Sequence, residues 1–369
     1  MKKTLIAFAA LSAIVGMAQA QSSVTLYGIA DAYVGSNFNT VRARAANAPV
    51  TSTTSTKTRQ AVVDSGGLAT SRFGMRGSED LGGGLKAVFV LEGGLNVDTG
   101  VGNENGGLFG RQAYVGLNGG FGTATLGRHL TAYDALRVST NYGGNAQLFS
   151  LSQINQVWSN GVVDYNRRAS NSFLYASPSF GGFSGSFLVG TGEDKAPGRN
   201  ASRNNSFHLK YANGPLLVGY AFQQEKFNLG TTINAASPTT GVAAGSPFLN
   251  EREYNLVAGS YDLGVLKLNA GFQASKDKVT NAKDKELQVG VTVPFGAADV
   301  TLGYVASRPD NGGLNADGVS LFSTYKLSKR TAVYAGGITQ KYDLAPVQAA
   351  GTTSIEKRSV LAVGVRHLF

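Results

Sequence analysis

Cysteine is absent from this chain, and tryptophan (1), methionine (3) and histidine (3) are scarce. Without cysteine there can be no disulfides, no thiolate metal ligands and no lipid-modified cysteine behind an export signal. His129, His208 and His367 fall in no G-x-S-x-G or H-E-x-x-H pattern, so neither a hydrolase nor a metalloenzyme is expected. Gly82-Gly83-Gly84-Leu85-Lys86 lacks the spacing of a phosphate-binding loop and reads as a tight turn; no cofactor is expected. After Met17 no apolar run approaches the roughly 20 residues that a membrane-spanning helix needs. Linkers, composition breaks and charge blocks are missing too, which argues against division into domains.

What is present begins with an export signal. Lys2 and Lys3 precede an apolar run from Leu5 to Met17 and an A-x-A site at Ala18-Gln19-Ala20. Residues 1–20 are therefore expected to be a cleaved leader, and 21–369 one domain. Lys and Arg outnumber Asp and Glu by 33 to 23. Such an excess commonly serves nucleic acid, but export makes nucleic acid an improbable partner. Glycine (49), phenylalanine (19) and tyrosine (15) are plentiful, as suits twisted strands with aromatic girdles.

From Ser23 onward, segments about ten residues long alternate apolar and polar positions between turn residues, sixteen in all. Connections such as Gly82-Gly83-Gly84, Gly119-Gly120 and Asn213-Gly214 are short, whereas those around 35–66, 131–169 and 227–250 are long. In the last segment Leu361, Val363, Val365, His367 and Phe369 share one face, and Ala362, Gly364 and Arg366 the other. The pattern predicts an all-β fold, a 16-stranded antiparallel transmembrane β-barrel. Its last strand should close on Ser23–Val34, because an unpaired amide in hydrocarbon costs several kcal/mol.

Four motifs, in order, resemble the trimeric general porins of Gram-negative bacteria, in particular the neisserial and burkholderial branch. They are Val24-Thr25-Leu26-Tyr27-Gly28, Ser71-Arg72-Phe73-Gly74-Met75-Arg76-Gly77, Arg111-Gln112-Ala113-Tyr114-Val115-Gly116-Leu117 and the terminal Phe369. The resemblance implies an outer-membrane homotrimer passing small ions and hydrophilic solutes, with a long third loop, here 131–169, folded into the pore. Tyr133-Asp134-Ala135-Leu136 would open that loop, Tyr142-Gly143-Gly144 would form its tip, and Trp158 and Tyr165 would pack on the wall. Phe369 would be the signal read by the barrel-assembly machinery. Outer-membrane lipids, including lipopolysaccharide, would be further partners; Arg42, Arg44, Lys57 and Arg59 either face their phosphates or are ordinarily solvated.

The charges expected at the constriction set selectivity. Arg72 and Arg76 share parity opposite Phe73 and Met75, and an arginine facing lipid at mid-membrane costs about 2–4 kcal/mol, so both should face the lumen. The resemblance places wall arginines at Arg72 and Arg111 and further basic residues at Arg76, Arg167 and Arg168. Arg128, at the root of the loop, and Arg137, within it, complete the basic set. These arginines either impose a positive field or pair with carboxylates that support the wall. Glu92 and Asp31 are the candidate inward acids. Asp134 either opposes the arginines or anchors the loop. Since Arg137-Val138-Ser139-Thr140-Asn141 stands where cation-preferring relatives carry acids, the expectation is a general porin that prefers anions. A dedicated phosphate or dicarboxylate channel, a surface adhesin and an outer-membrane enzyme are the alternatives.

Overall fold

The computed structural model describes residues 23–43, 54–104, 107–144, 146–152, 165–195, 197, 200–227, 250–310, 315–343 and 353–369. The expected leader, Arg44, Trp158 and most of 227–250 lie outside them.

The first half of the barrel comprises β1 (Ser23–Ala43), β2 (Thr54–Ser65), β3 (Arg72–Gly82), β4 (Leu85–Gly94), β5 (Gln112–Gly119), β6 (Gly122–Leu130), β7 (Arg168–Ala176), β8 (Phe183–Thr191) and β9 (Arg203–Asn213). The second comprises β10 (Leu216–Phe227), β11 (Asn250–Asp262), β12 (Lys267–Asp277), β13 (Lys283–Phe295), β14 (Ala298–Pro309), β15 (Ala316–Lys326), β16 (Thr331–Tyr342) and β17 (Thr353–Leu368). A single helix among the described residues, α1 (Ala132–Thr140), follows β6.

Apart from β2 and β3, which both pair with β1 and not with each other, successive strands pair antiparallel, and β17 returns to β1 from Ile29↔Leu368 to Ala43↔Thr353. Gly28 and Phe369 seal the junction by exchanging backbone hydrogen bonds of 3.1 and 3.2 Å. The other edge of β1 carries two segments end to end, β3 on Ser23–Ile29 and β2 on Ala32–Ala43. Counted as one stave, they make this a closed 16-stranded antiparallel barrel. Closure leaves no strand edge to satisfy in hydrocarbon.

The break between β2 and β3 is organised by Asp31. Its carboxylate accepts from the backbone N–H groups of Gly67 (3.1 Å), Leu68 (3.0 Å) and Ala69 (2.7 Å), and from the Tyr334 hydroxyl. Asp31 is fully buried. The expectation that it would be a pore acid partnering the arginines is therefore corrected: three backbone donors and a phenol occupy it.

The expected long connection at 35–66 is also corrected. Its two flanks are strand, a β1–β2 hairpin laddered from Ala32↔Ser65 to Ala43↔Thr54. Its Val41, Val62, Val63 and threonines suit an extended backbone, and its polarity marks a sheet standing beyond the hydrocarbon.

Alternation holds around the barrel. Leu209, Val257, Phe272, Leu287, Leu302, Leu321 and Leu361 are exposed on the outer face, and Gln273, Glu286, Gln288, Thr301 and Ser320 are buried on the inner one. An apolar exterior with a polar interior is the arrangement a lipid-embedded barrel requires.

Candidate functional site

Two groups of side chains meet on the inner face. The first lies on the wall formed by β1, β3, β4 and β5. Direct cross-strand partners in an antiparallel sheet share a face, and Tyr27↔Gly74, Gly74↔Glu92, Ile29↔Arg72 and Thr25↔Arg76 place Tyr27, Glu92, Arg72 and Arg76 together. Glu92 receives Arg111 Nε at 2.7 Å, lies 3.7 Å from Arg72 Nε and accepts the Tyr27 hydroxyl at 3.0 Å. Arg111 also reaches Glu104 at 3.0 Å, and Glu104 holds Arg168 at 3.0 Å. Among the described residues three arginines thus share two carboxylates, an excess of one positive charge. Arg76, exposed, stands over the Tyr27 ring at 5.2 Å and adds a second.

Arg366 was missed as a site residue, although it occupies the inward parity of β17 and sits directly opposite Asp31 in register. Its alternation with Leu361, Val363 and Val365 was the available signal. Glu104 was missed for a different reason. It lies between β4 and β5, where the chain has no period to read.

The second group is the segment that begins at Thr131. Thr131 caps α1, its hydroxyl accepting from the Asp134 backbone N–H at 3.2 Å. Asp134, fully buried, binds Arg137 at 2.7 Å and Arg167 at 3.2 Å and accepts the Tyr165 hydroxyl at 2.6 Å. Burial alone would raise the Asp134 carboxyl, but the two guanidiniums and the phenol outweigh it and hold the group well below the usual carboxylate range.

Asp134 is thus placed as a loop anchor, one of the two roles expected of it. Arg137 is corrected: at 0% exposure, with Asp134, Tyr165 and the Ser152 carbonyl around it, it touches no lumen. Helix α1, which was not expected within the long loop, turns it inward. Arg128 is corrected as well. It pairs with Ala113, in the row of Met75 and Leu91 opposite to Glu92, and donates to the Gly110 carbonyl (2.6 Å) and Ser170 Oγ (2.7 Å).

From Ala132 to Ser152 this segment makes its contacts with inward residues of successive strands. The Ala132 N–H donates to Ser206 Oγ on β9 (3.1 Å), and its carbonyl accepts from His208 Nδ1 (2.8 Å). Tyr133 donates to Gln273 on β12, and the Thr140 carbonyl accepts from Asn269 at 2.8 Å. The Tyr142 ring lies on Gly290 of β13 and Gly303 of β14, where a Cβ at either position would overlap it. Phe149 stacks on Phe322 of β15 at 4.7 Å and meets Tyr334 of β16 edge-on at 5.9 Å. On the return, Asn166 donates to both oxygens of Glu225 on β10.

Comparison with known proteins agrees with this geometry. Residues 7–343 match the family described as Gram-negative porin. Outer membrane porin protein 32 of Delftia acidovorans is 33% identical over the full length of both chains. Major outer membrane protein P.IB of Neisseria lactamica is 28% identical, again over both full lengths. Among solved structures, an anion-selective porin from Comamonas acidovorans superposes with a TM-score of 0.75 at 29% identity, covering 94% of this chain and all of that one. With its closed barrel, apolar exterior and charged inner wall, the chain belongs to the Gram-negative porin family and is a multi-pass β-barrel of the bacterial outer membrane.

Proposed function

We propose that this barrel is a general diffusion porin for small hydrophilic solutes, with a preference for anions and no catalytic step. The observation that carries the reading is the wall of Arg72, Arg111 and Arg168 on Glu92 and Glu104, with Arg76 unpaired beside it. A narrow aqueous lumen in a low-dielectric wall focuses the field of such charges, concentrating anions and excluding cations. Residues 131–169 are the element that narrows the lumen opposite this wall, and Asp134, spent on Arg137 and Arg167, does not offset the field. The similar Comamonas porin, which its description calls anion-selective, supports the same sign.

The working unit is a homotrimer, assembled by machinery that reads the strand ending in Phe369, in contact with outer-membrane lipids including lipopolysaccharide. Zero-current potentials of the purified mature protein in planar bilayers, across a potassium chloride gradient, test the reading. The expected sign is that of a more permeant chloride; a potassium-preferring potential would overturn the charge assignment, and an absence of conductance would overturn the channel.

A further inference from the structure

Beneath the first turn of α1, towards the short turns that join β5 to β6 and β7 to β8, the inner wall holds a cavity of about 400 Å³. No arginine of the charged wall lines it. Its roof is Thr131, Ala132 and Ala135, and Ala132 is pinned at both of its backbone groups, to Ser206 and to His208. On β8 and β9, Ser184 faces Lys210 and Ser186 faces His208 in register. Direct antiparallel partners carry their Cβ atoms about 4.5–5.5 Å apart, so these four side chains make one polar patch. Tyr114 and Leu174 give the cavity an apolar side.

Hydrogen bonding fixes the tautomer of both histidines that line this cavity. His208 Nδ1 lies 2.8 Å from the Ala132 carbonyl, which can only accept, so Nδ1 carries the hydrogen. His129 Nδ1 lies 2.8 Å from Ser172 Oγ, whose own hydrogen goes to the Gly127 or Ala169 carbonyl at 2.9 and 3.0 Å, so this Nδ1 is the donor as well. In a neutral imidazole the second nitrogen is then a bare acceptor. Neither Nε2 meets a donor among the described residues, and His129 is only 2% exposed. Lys210 adds the opposite demand, an ammonium with three donors and no salt bridge among the described residues.

We infer that this cavity is a binding subsite for a neutral polyhydroxylated solute the size of a monosaccharide, which donates hydroxyls to the histidine Nε2 atoms and accepts from Lys210 and Ser184. The pairing of demands selects the occupant. An anion would satisfy Lys210 but meet two bare acceptors, a cation would meet Lys210, and an apolar solute would leave all of them unpaired; a polyol supplies donors and acceptors on adjacent carbons. The volume falls within the range of small-molecule sites. The inference rests on the diffusion-channel reading above, to which it adds a solute held on the wall during passage, and it does not depend on the sign of ion selectivity.

Single-channel recordings in potassium chloride with added D-glucose test it. Wild type should show a fall in current that saturates, half complete at millimolar glucose. S184A/K210M should need about tenfold more glucose for the same fall, the loss of two ordinary hydrogen bonds. Tetraethylene glycol dimethyl ether, of similar size but without a donor, should give wild type only the linear decline that added viscosity produces. Saturable block by the ether equal to that by glucose, or an unchanged half-saturation in S184A/K210M, would overturn the site. So would displacement of glucose by acetate at constant ionic strength that disappears in S184A/K210M, which would make the cavity an anion site. The ether comparison uses wild type alone and so decides even where the variant does not assemble. Normal openings without saturable glucose block would overturn the subsite alone, whereas absence of conductance would overturn the channel reading and the subsite together.

Discussion

The two halves of the inner wall use the same residue types to opposite ends. On β1, β3, β4 and β5, arginines outnumber the carboxylates they touch, and Arg72 and Arg76 keep part of their surface in water. On β9 to β16, the inner face meets the described residues of 131–152, and Ser206, His208, Asn269, Gln273 and Gln288 each bond to that segment. Even the charges divide this way. Asp134 is fully buried between Arg137 and Arg167, whereas Arg76 is exposed over the Tyr27 ring. Inward position on a barrel strand therefore does not by itself make a residue part of the permeation path; what lies on top of it decides.

Perturbing the covered half should have the largest structural effect. D134N removes the carboxylate shared by the buried Arg137 and the half-buried Arg167, and breaking a buried pair in this way costs about 3–5 kcal/mol. Equilibrium unfolding in urea should show that loss, together with larger and noisier single-channel currents as 131–152 leaves its seat. F149A, which removes a ring packed between Phe322 and Tyr334, should cost about 3–5 kcal/mol when its cavity cannot collapse, with a smaller rise in conductance. If either variant changed selectivity while leaving conductance untouched, the division between the two halves would be wrong.

The smallest effect expected is that of acid. A carboxyl whose folded pKa is depressed contributes its stabilisation fully above its unfolded value, about 3.9, and loses it only as pH falls through the lower folded value. Asp134 is such a group. The destabilisation caused by D134N should therefore be the same at pH 7 and pH 4, and its disappearance at pH 4 would mean that Asp134 is not held ionised in the folded protein.

How much of this was legible in the sequence depended on whether a period was available. Arg72 and Arg76 against Phe73 and Met75, and Leu361 to Phe369 against Ala362 to Arg366, revealed their faces because a strand commits every second residue to one side. The β1–β2 hairpin was hidden because both of its faces meet water beyond the hydrocarbon, which erases the apolar alternation and leaves threonines and serines that look like loop. Helix α1 left a usable trace, Thr131 three residues before Asp134, a cap followed by an acid in the first turn. The burial of Arg137 left none, since it depends on Tyr165 and Ser152 arriving from elsewhere in the chain. Glu104 and the closure of Asp31 over residues 67–69 are likewise products of tertiary approach.

The central claim is that the arginine excess on the open wall sets the sign of selectivity, and a matched pair of charge changes tests it most directly. R72E/R76E and R308E/K285E alter total charge equally, but the first pair faces inward on β3 and the second outward on β14 and β13. Zero-current potentials across a potassium chloride gradient should reverse, or fall close to zero, for R72E/R76E and remain at the wild-type value for R308E/K285E. Equal shifts in the two variants, or no shift in the first, would contradict the account.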